Sequence, residues 1–175
     1  MTVFYILIVF LALMLVIVAM LPFVYNTEQA VIIRKALVEV RDTVANLNLY
    51  PLWSSLNLPE IDKSEIEIDG HPKMAGHSCR WKSKKSGRGI ITIRAIDDRH
   101  IHFDLDIISW KLKTKDNWFF EEWGERETKV TLQNNGRFTS PFARFFGQML
   151  LKKFNRRIRT GLTNLKNLCE KDGRA

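Results

Sequence analysis

The amino-terminal segment is the feature that most constrains this chain. Val3–Val24 is a run of 22 residues without a charged side chain, and 16 of them are Leu, Ile, Phe or Val. A helix of this length extends about 33 Å, which matches the roughly 30 Å hydrocarbon core of a bilayer. A cleaved signal peptide fits less well, because its apolar region is usually about 7–15 residues and follows basic residues. Residues 1–25 are therefore predicted to form a retained transmembrane helix.

Positive charge flanks this run on one side only. No Lys or Arg precedes it, whereas Arg34, Lys35 and Arg41 follow it. Since Lys and Arg concentrate on the cytoplasmic side of membrane helices, we expect a single-pass protein whose remaining residues, 26–175, lie in the cytoplasm. The two cysteines, Cys79 and Cys169, are too few for a disulfide framework and imply no oxidising compartment.

Residues 26–175 are enough for one domain with a substantial core. Glu28–Lys35 reads as a strand and Val38–Leu47 as a short helix, and about six further strands follow. The segment His100–Ile108 alternates most regularly: Ile101, Phe103 and the next two alternate residues are apolar, and the residues between them are polar. This alternation is typical of an antiparallel sheet with one face in water.

A long carboxyl-terminal helix follows the strands. Ser140 and Pro141 suit its first positions. An apolar stripe then recurs at helical spacing through Phe142, Phe146, Leu150, Phe154, Ile158, Leu162 and Leu165. The predicted fold class is α+β, with a curved antiparallel sheet around this helix. Because such a sheet cannot close on a helix along its whole length, we expect an apolar cavity between them. Its predicted lining is Trp53, Trp81, Phe103, Trp118 and Phe120.

Several short motifs occur in an order that resembles a known superfamily. They are Tyr50-Pro51-Leu52-Trp53, Gly76–Trp81, Thr128-Lys129-Val130-Thr131 and the helix from Phe154 to Lys166. Together they resemble the START-like (SRPBCC) superfamily, in particular its polyketide cyclase/dehydrase-like members, over Ala30–Glu170. The resemblance implies a helix-grip fold with a deep hydrophobic cavity. Members carry out lipid transfer, hydrophobic-ligand binding, polyketide cyclisation or chaperone regulation, so the fold does not fix the function.

Three groups of polar residues carry side chains that are common in metal sites or in acid/base catalysis. A metal site would need His71, His77 and Cys79 to converge with a fourth ligand, but only His77 and Cys79 share a strand face, and His71 precedes a loop with Pro72. We therefore expect neither a metal nor a cofactor. The pairs His100/Asp104 and His102/Asp106 are expected on the solvated face of the sheet. Glu122 shares its strand parity with Trp118 and Phe120, and a carboxylate among aromatic rings can act as an acid.

The positive charge is concentrated at the carboxyl-terminal end. Residues 137–175 contain ten basic and two acidic side chains, which account for the whole net charge of +8. Lys152, Arg156, Arg159 and Lys166 lie opposite the apolar stripe of the helix. For a chain already anchored in a bilayer, anionic headgroups are a simpler partner for this face than nucleic acid.

The sequence therefore predicts membrane-anchored binding of a lipid or another hydrophobic small molecule, without a covalent step. One alternative is a cyclase- or hydrolase-like enzyme that uses Glu122 as acid/base. A second is a non-catalytic interaction module that assists a membrane complex.

Overall fold

Seven antiparallel strands form one sheet within the residues that the structure describes. The structure is a computed structural model and describes residues 2–20, 24–54, 65–83, 87–110, 112–138 and 141–171. The strands are β1 (Val24–Ile33), β2 (Ile66–Asp69), β3 (Ser78–Ser83), β4 (Gly87–Ile96), β5 (His100–Ile107), β6 (Leu112–Gly124) and β7 (Glu127–Phe138).

The strand order is β1-β7-β6-β5-β4-β3-β2. Strands β2 to β6 each pair with the next strand in the sequence, and β1 adds to β7 at one edge. Two short helices, α2 (Leu37–Ala45) and α3 (Tyr50–Trp53), carry the chain from β1 towards β2 at the other edge. A helix of 31 residues, α4 (Pro141–Lys171), ends the fold. The predicted α+β helix-grip arrangement, a curved antiparallel sheet with a long carboxyl-terminal helix, is confirmed.

The alternating segment predicts its strand correctly. In β5, Ile101, Phe103, Leu105 and Ile107 are buried, and the residues between them are half-buried or exposed. Burying side chains of this kind contributes roughly 1.5–3 kcal/mol each, so one strand face carries much of the sheet's stability. The same face of the neighbouring strands and the inward sides of the helices supply the rest of the core.

Helix α4 packs its apolar stripe inwards. Phe154, Leu162 and Leu165 are buried. Polar bonds also fix this helix to β1: Lys166 Nζ donates to the Ile32 carbonyl oxygen at 2.8 Å, and Arg159 Nε donates to Gln29 Oε1 at 2.8 Å. The predicted cap Ser140 and the side chains of Phe142, Phe146 and Leu150 lie outside the described residues.

The predicted transmembrane helix is not supported. Helix α1 is Thr2–Met20, and Val24, which still belongs to the uncharged run, is the first residue of β1, where it pairs with Arg137. The run is thus shared between a helix and a strand. Within the described ranges, no helix is both long enough and apolar enough to cross a bilayer. The prediction of single-pass membrane localisation, from which the cytoplasmic placement followed, is wrong on this finding.

A glycine opposite an aromatic ring recurs at two places in the sheet. Tyr25 of β1 pairs with Gly136 of β7, and Trp81 of β3 pairs with Gly89 of β4. A Cβ atom at either glycine would overlap the ring of its partner. Each aromatic side chain therefore lies across the neighbouring strand because that strand has no side chain there.

Gly136→Ala is expected to lower the free energy of unfolding by about 1–3 kcal/mol, because the added methyl group forces the Tyr25 ring out of its position. The measurement is urea unfolding followed by circular dichroism. Gly124→Ala is the control, since a Cβ there would meet Glu127 Oε2 at 3.5 Å, an ordinary contact. Equal unfolding midpoints for the two variants would contradict the proposed role of Gly136.

Candidate functional site

A cavity of about 70 Å³ lies between the sheet and the helices α3 and α4. Its lining consists of Ile91, Leu105, Ile107, Asp116, Trp118 and Leu132 from the sheet, and Tyr50, Trp53, Ser54, Phe154, Arg157, Ile158, Gly161 and Leu162 from the helical side. Pockets for drug-sized ligands are roughly 300–1,000 Å³, and one water molecule occupies about 30 Å³ in the liquid. The cavity in this conformation therefore has room only for a small guest.

The five residues predicted to line a cavity are all buried. Trp53 and Trp118 do line it, whereas Trp81, Phe103 and Phe120 belong to the surrounding core. The rings of Trp53 and Trp118 are 5.6 Å apart and edge-to-face, and the Phe103 ring lies 6.4 Å from Trp118. Two of the predicted residues thus form part of the wall, and Phe103 packs against one of them.

The cavity contains a buried carboxyl group that the sequence analysis missed. Asp116 on β6 is 7% exposed. Its Oδ1 atom accepts a hydrogen bond from Thr114 Oγ1 at 2.8 Å and another from Asn134 Nδ2. Burial raises the pKa of Asp116 to about 7, although these two hydrogen bonds oppose the rise and the charge of Asp104 adds to it. The carboxyl group is thus able to gain or lose a proton near neutral pH.

Strand parity explains why Asp116 lies inside. Residues two apart on a strand share a face, and Trp118 places Asp116 and Thr114 on the buried side. The same parity, followed along β6 in the other direction, predicted that Glu122 faces inwards. That residue is exposed, because β6 continues beyond the core and its pairing with β7 is irregular between Glu122 and Gly124. Glu122 therefore lacks the aromatic pocket on which its predicted role depended.

Other polar groups of the lining come from the helical side and from the indole rings. Burial raises the pKa of Tyr50 well above its usual range, and desolvation lowers the pKa of Arg157. Ser54 Oγ and the Nε1 atoms of Trp53 and Trp118 are buried without a hydrogen-bond partner among the described residues. A buried polar atom without a partner costs roughly 1–3 kcal/mol, so a guest that bonds to one of them would recover part of this cost.

His77 is a structural link rather than a metal ligand. Its Nε2 accepts a hydrogen bond from the Leu47 backbone N–H at 3.1 Å, so its Nδ1 carries the proton and donates to the Asp69 carbonyl oxygen at 3.0 Å. Burial raises the pKa of Cys79 to about 12, which keeps this thiol protonated. Within the part of the chain that the structure describes, no group of three or more His, Cys, Asp or Glu side chains could hold a metal ion.

The histidines of β5 lie on the outer face of the sheet, as predicted. His102 Nδ1 lies 2.7 Å from Asn117 Oδ1, and His100 Nδ1 lies 2.9 Å from Asp97 Oδ1. Neither histidine bonds to the aspartate with which the sequence would pair it, Asp106 or Asp104. No acid/base pair of that kind is formed.

The four basic residues predicted to face a membrane surface fall into two groups. Lys152 and Arg156 are exposed. Arg159 and Lys166 bond to β1, as described above, and so help to hold α4 on the sheet. Contact of these four side chains with anionic headgroups stays a prediction.

Comparisons with known proteins agree with the geometry. The model of a protein family described as polyketide cyclase / dehydrase and lipid transport matches residues 26–170. The chain belongs to this family. This match confirms the resemblance noted from the sequence motifs. It begins at residue 26 and gives no support to the predicted amino-terminal anchor. No curated protein matches the chain.

Solved structures share the fold of this family member at low identity. The Zhui aromatase/cyclase from a Streptomyces species has a TM-score of 0.65 and 14% identity, and the match covers 87% of this chain and 97% of that one. A truncated norcoclaurine synthase from Thalictrum flavum has a TM-score of 0.63 and 9% identity, covering 83% and 92%.

A third match is the di-domain ARO/CYC protein StfQ of the steffimycin biosynthetic pathway, with a TM-score of 0.64 and 10% identity. It covers 87% of this chain but 53% of StfQ, so the chain spans about half of that protein. At these identities the three matches show the fold alone.

Proposed function

We propose that this protein binds a small hydrophobic molecule in the cavity between its sheet and α4. The observation that carries the proposal is a cavity with two tryptophan rings in its wall and a buried carboxyl group beside them. Apolar walls supply the driving force for burial, at about 25 cal/mol per Å², and a few polar groups orient the guest. The family and the aromatase/cyclase neighbours support a ligand of this kind.

The size of the cavity limits the guest. At about 70 Å³ it is too small for a lipid acyl chain, and it has about half the volume of a cavity of about 150 Å³ that binds benzene. Binding a ring therefore requires α3 or α4 to move outwards by a small amount. We accordingly favour a compact single-ring molecule over a lipid.

Toluene is a suitable probe, with the indole N–H signals of the full chain as the readout in ¹H–¹⁵N NMR spectra. We expect saturable shifts for Trp53 and Trp118, which line the cavity, and none for Trp123, which is 56% exposed. Single Trp→Phe variants assign the signals. Shifts of similar size at all three residues, or no saturation, would overturn the proposal.

A variant that fills the cavity sharpens this test. Gly161 is buried and lines the cavity, so Gly161→Leu should place a side chain of comparable volume in it and abolish the toluene response. Thr160→Leu is the matched control, because Thr160 is exposed on the adjacent position of α4. A toluene response that survives in Gly161→Leu would show that the probe binds elsewhere.

An acid/base enzyme is the second candidate function, and the carboxyl group that favours it is Asp116 rather than Glu122. A general acid or base works best when its pKa lies near the operating pH, and that of Asp116 is about 7. Turnover of a candidate substrate that Asp116→Asn abolishes and Glu122→Gln leaves unchanged would support this function.

A further inference from the structure

Asp116 lines the cavity, and one of its two carboxyl oxygens receives no hydrogen bond from the residues that the structure describes. Thr114 and Asn134 both donate to Oδ1, and none of the residues described donates to Oδ2. An ionised carboxylate only accepts hydrogen bonds. Oδ2 is therefore an acceptor in need of a donor, on the wall of a cavity that is otherwise mostly apolar.

We propose that Asp116 Oδ2 is the anchor for a small neutral aromatic guest that carries one N–H or O–H donor. This inference rests on the proposed function and adds the chemical class of the ligand. The aromatic part of the guest follows from the rings of Trp53 and Trp118, which are 5.6 Å apart in the cavity wall. Its small size follows from the cavity volume.

The charges around the cavity favour a neutral guest over a cationic one. Arg157 of α4 lines the same cavity opposite the sheet, so its guanidinium group offsets the attraction of the ionised Asp116 for a guest ammonium group. Desolvation already lowers the pKa of Arg157, and a second positive charge in the same enclosed space would add repulsion. A neutral N–H or O–H group meets no such opposition.

Ionisation of Asp116 sets the pH range in which a donor is preferred. The titratable or charged groups around this carboxyl group are Tyr25 of β1, Tyr50 of α3 and Arg157 of α4, and the charge of Asp104 acts on it from the other face of the sheet. Burial raises the pKa of both tyrosines, so they stay neutral while Asp116 titrates near pH 7. The acceptor is consequently strongest above pH 7.

Pyrrole and furan test the inference, because they have the same ring size and only pyrrole carries an N–H donor. We expect pyrrole to bind the full chain at least about tenfold more tightly than furan at pH 8, as a hydrogen bond to a charged group would give. The readout is the shift of the Trp53 and Trp118 indole signals. The preference should decrease between pH 8 and pH 6.

Asp116→Asn keeps Oδ1 for Thr114 and Asn134 and replaces Oδ2 by an NH₂ donor, so the preference for pyrrole should disappear. Asp104→Asn is the control, because Asp104 is exposed on the other face of the sheet and the preference should remain.

If furan and toluene bind but wild-type protein at pH 8 does not prefer pyrrole, the inference fails and the proposed function stands. If none of the three probes binds, both fail. If the Asp116→Asn variant does not fold, the wild-type protein still tests the inference. A preference for pyrrole over furan that does not change with pH would overturn it.

Discussion

Asp116→Asn is expected to raise the free energy of unfolding at pH 8 by an amount on the order of 4 kcal/mol. The folded protein holds the Asp116 proton up to about pH 7, whereas the unfolded chain releases it near pH 3.8. Between these values the folded state binds more protons, so this residue makes stability fall as the pH rises through the window. Each unit of pKa difference corresponds to about 1.4 kcal/mol. Asparagine has no proton to lose, and the fall should be absent.

Urea unfolding at several pH values between 4 and 8 measures this effect. The pKa of Asp42 is held down by Lys73 and Arg41, so Asp42 contributes in the opposite direction. Because that contribution is common to both proteins, the difference between the wild-type and variant curves isolates Asp116. Asp104→Asn should retain most of the wild-type slope. A difference curve that is flat from pH 4 to pH 8 would refute a buried Asp116 that titrates near neutrality.

Trp118→Ala is expected to lower the free energy of unfolding by about 3–5 kcal/mol, the range for deleting a buried aromatic ring. Trp118 is 3% exposed and makes edge-to-face contacts with Trp53 and Phe103. Its removal also enlarges the cavity, and indole added in solution should restore part of the lost stability by refilling the space. Thermal unfolding with and without indole measures both effects.

Trp123→Ala provides the control on the same strand. Trp123 is 56% exposed, and the described contact of its ring is with Lys129 Nζ, 5.1 Å from the ring centroid. Losing such an exposed cation–π contact costs about 0.5–1 kcal/mol, and indole should not rescue it. Similar losses in the two variants would mean that β6 does not divide into a buried part and a protruding part as described.

Residue patterns within single strands and single helices predicted much of this fold. The alternation in β5 identified its buried face, and the apolar spacing of α4 identified Phe154, Leu162 and Leu165 as core. Such patterns depend only on the geometry of one element, which is fixed at two residues per repeat in a strand and 3.6 in a helix. They therefore indicate which side of an element is buried without knowledge of its neighbours.

Where an element ends depends on its neighbours, and the sequence predictions failed at such points. Val24 is apolar like the residues before it, but it pairs with Arg137 in the sheet. Glu122 has the parity of Trp118, but the core does not reach that far along β6. Asp116 was missed for a different reason. Its charge argued against burial, and only the hydrogen bonds from Thr114 and Asn134 on two strands make that burial tolerable.

The pairing of β1 with β7 has a consequence for how the chain is made. During synthesis from the amino terminus, Val24–Ile33 emerges from the ribosome roughly a hundred residues before its partner residues 128–137. Strands β2 to β6 can join as consecutive hairpins in the meantime. Until β7 is made, the backbone N–H and C=O groups of β1 have no partner strand. Docking of β1, and of α4 against it, is consequently expected to be a late step of folding on the ribosome.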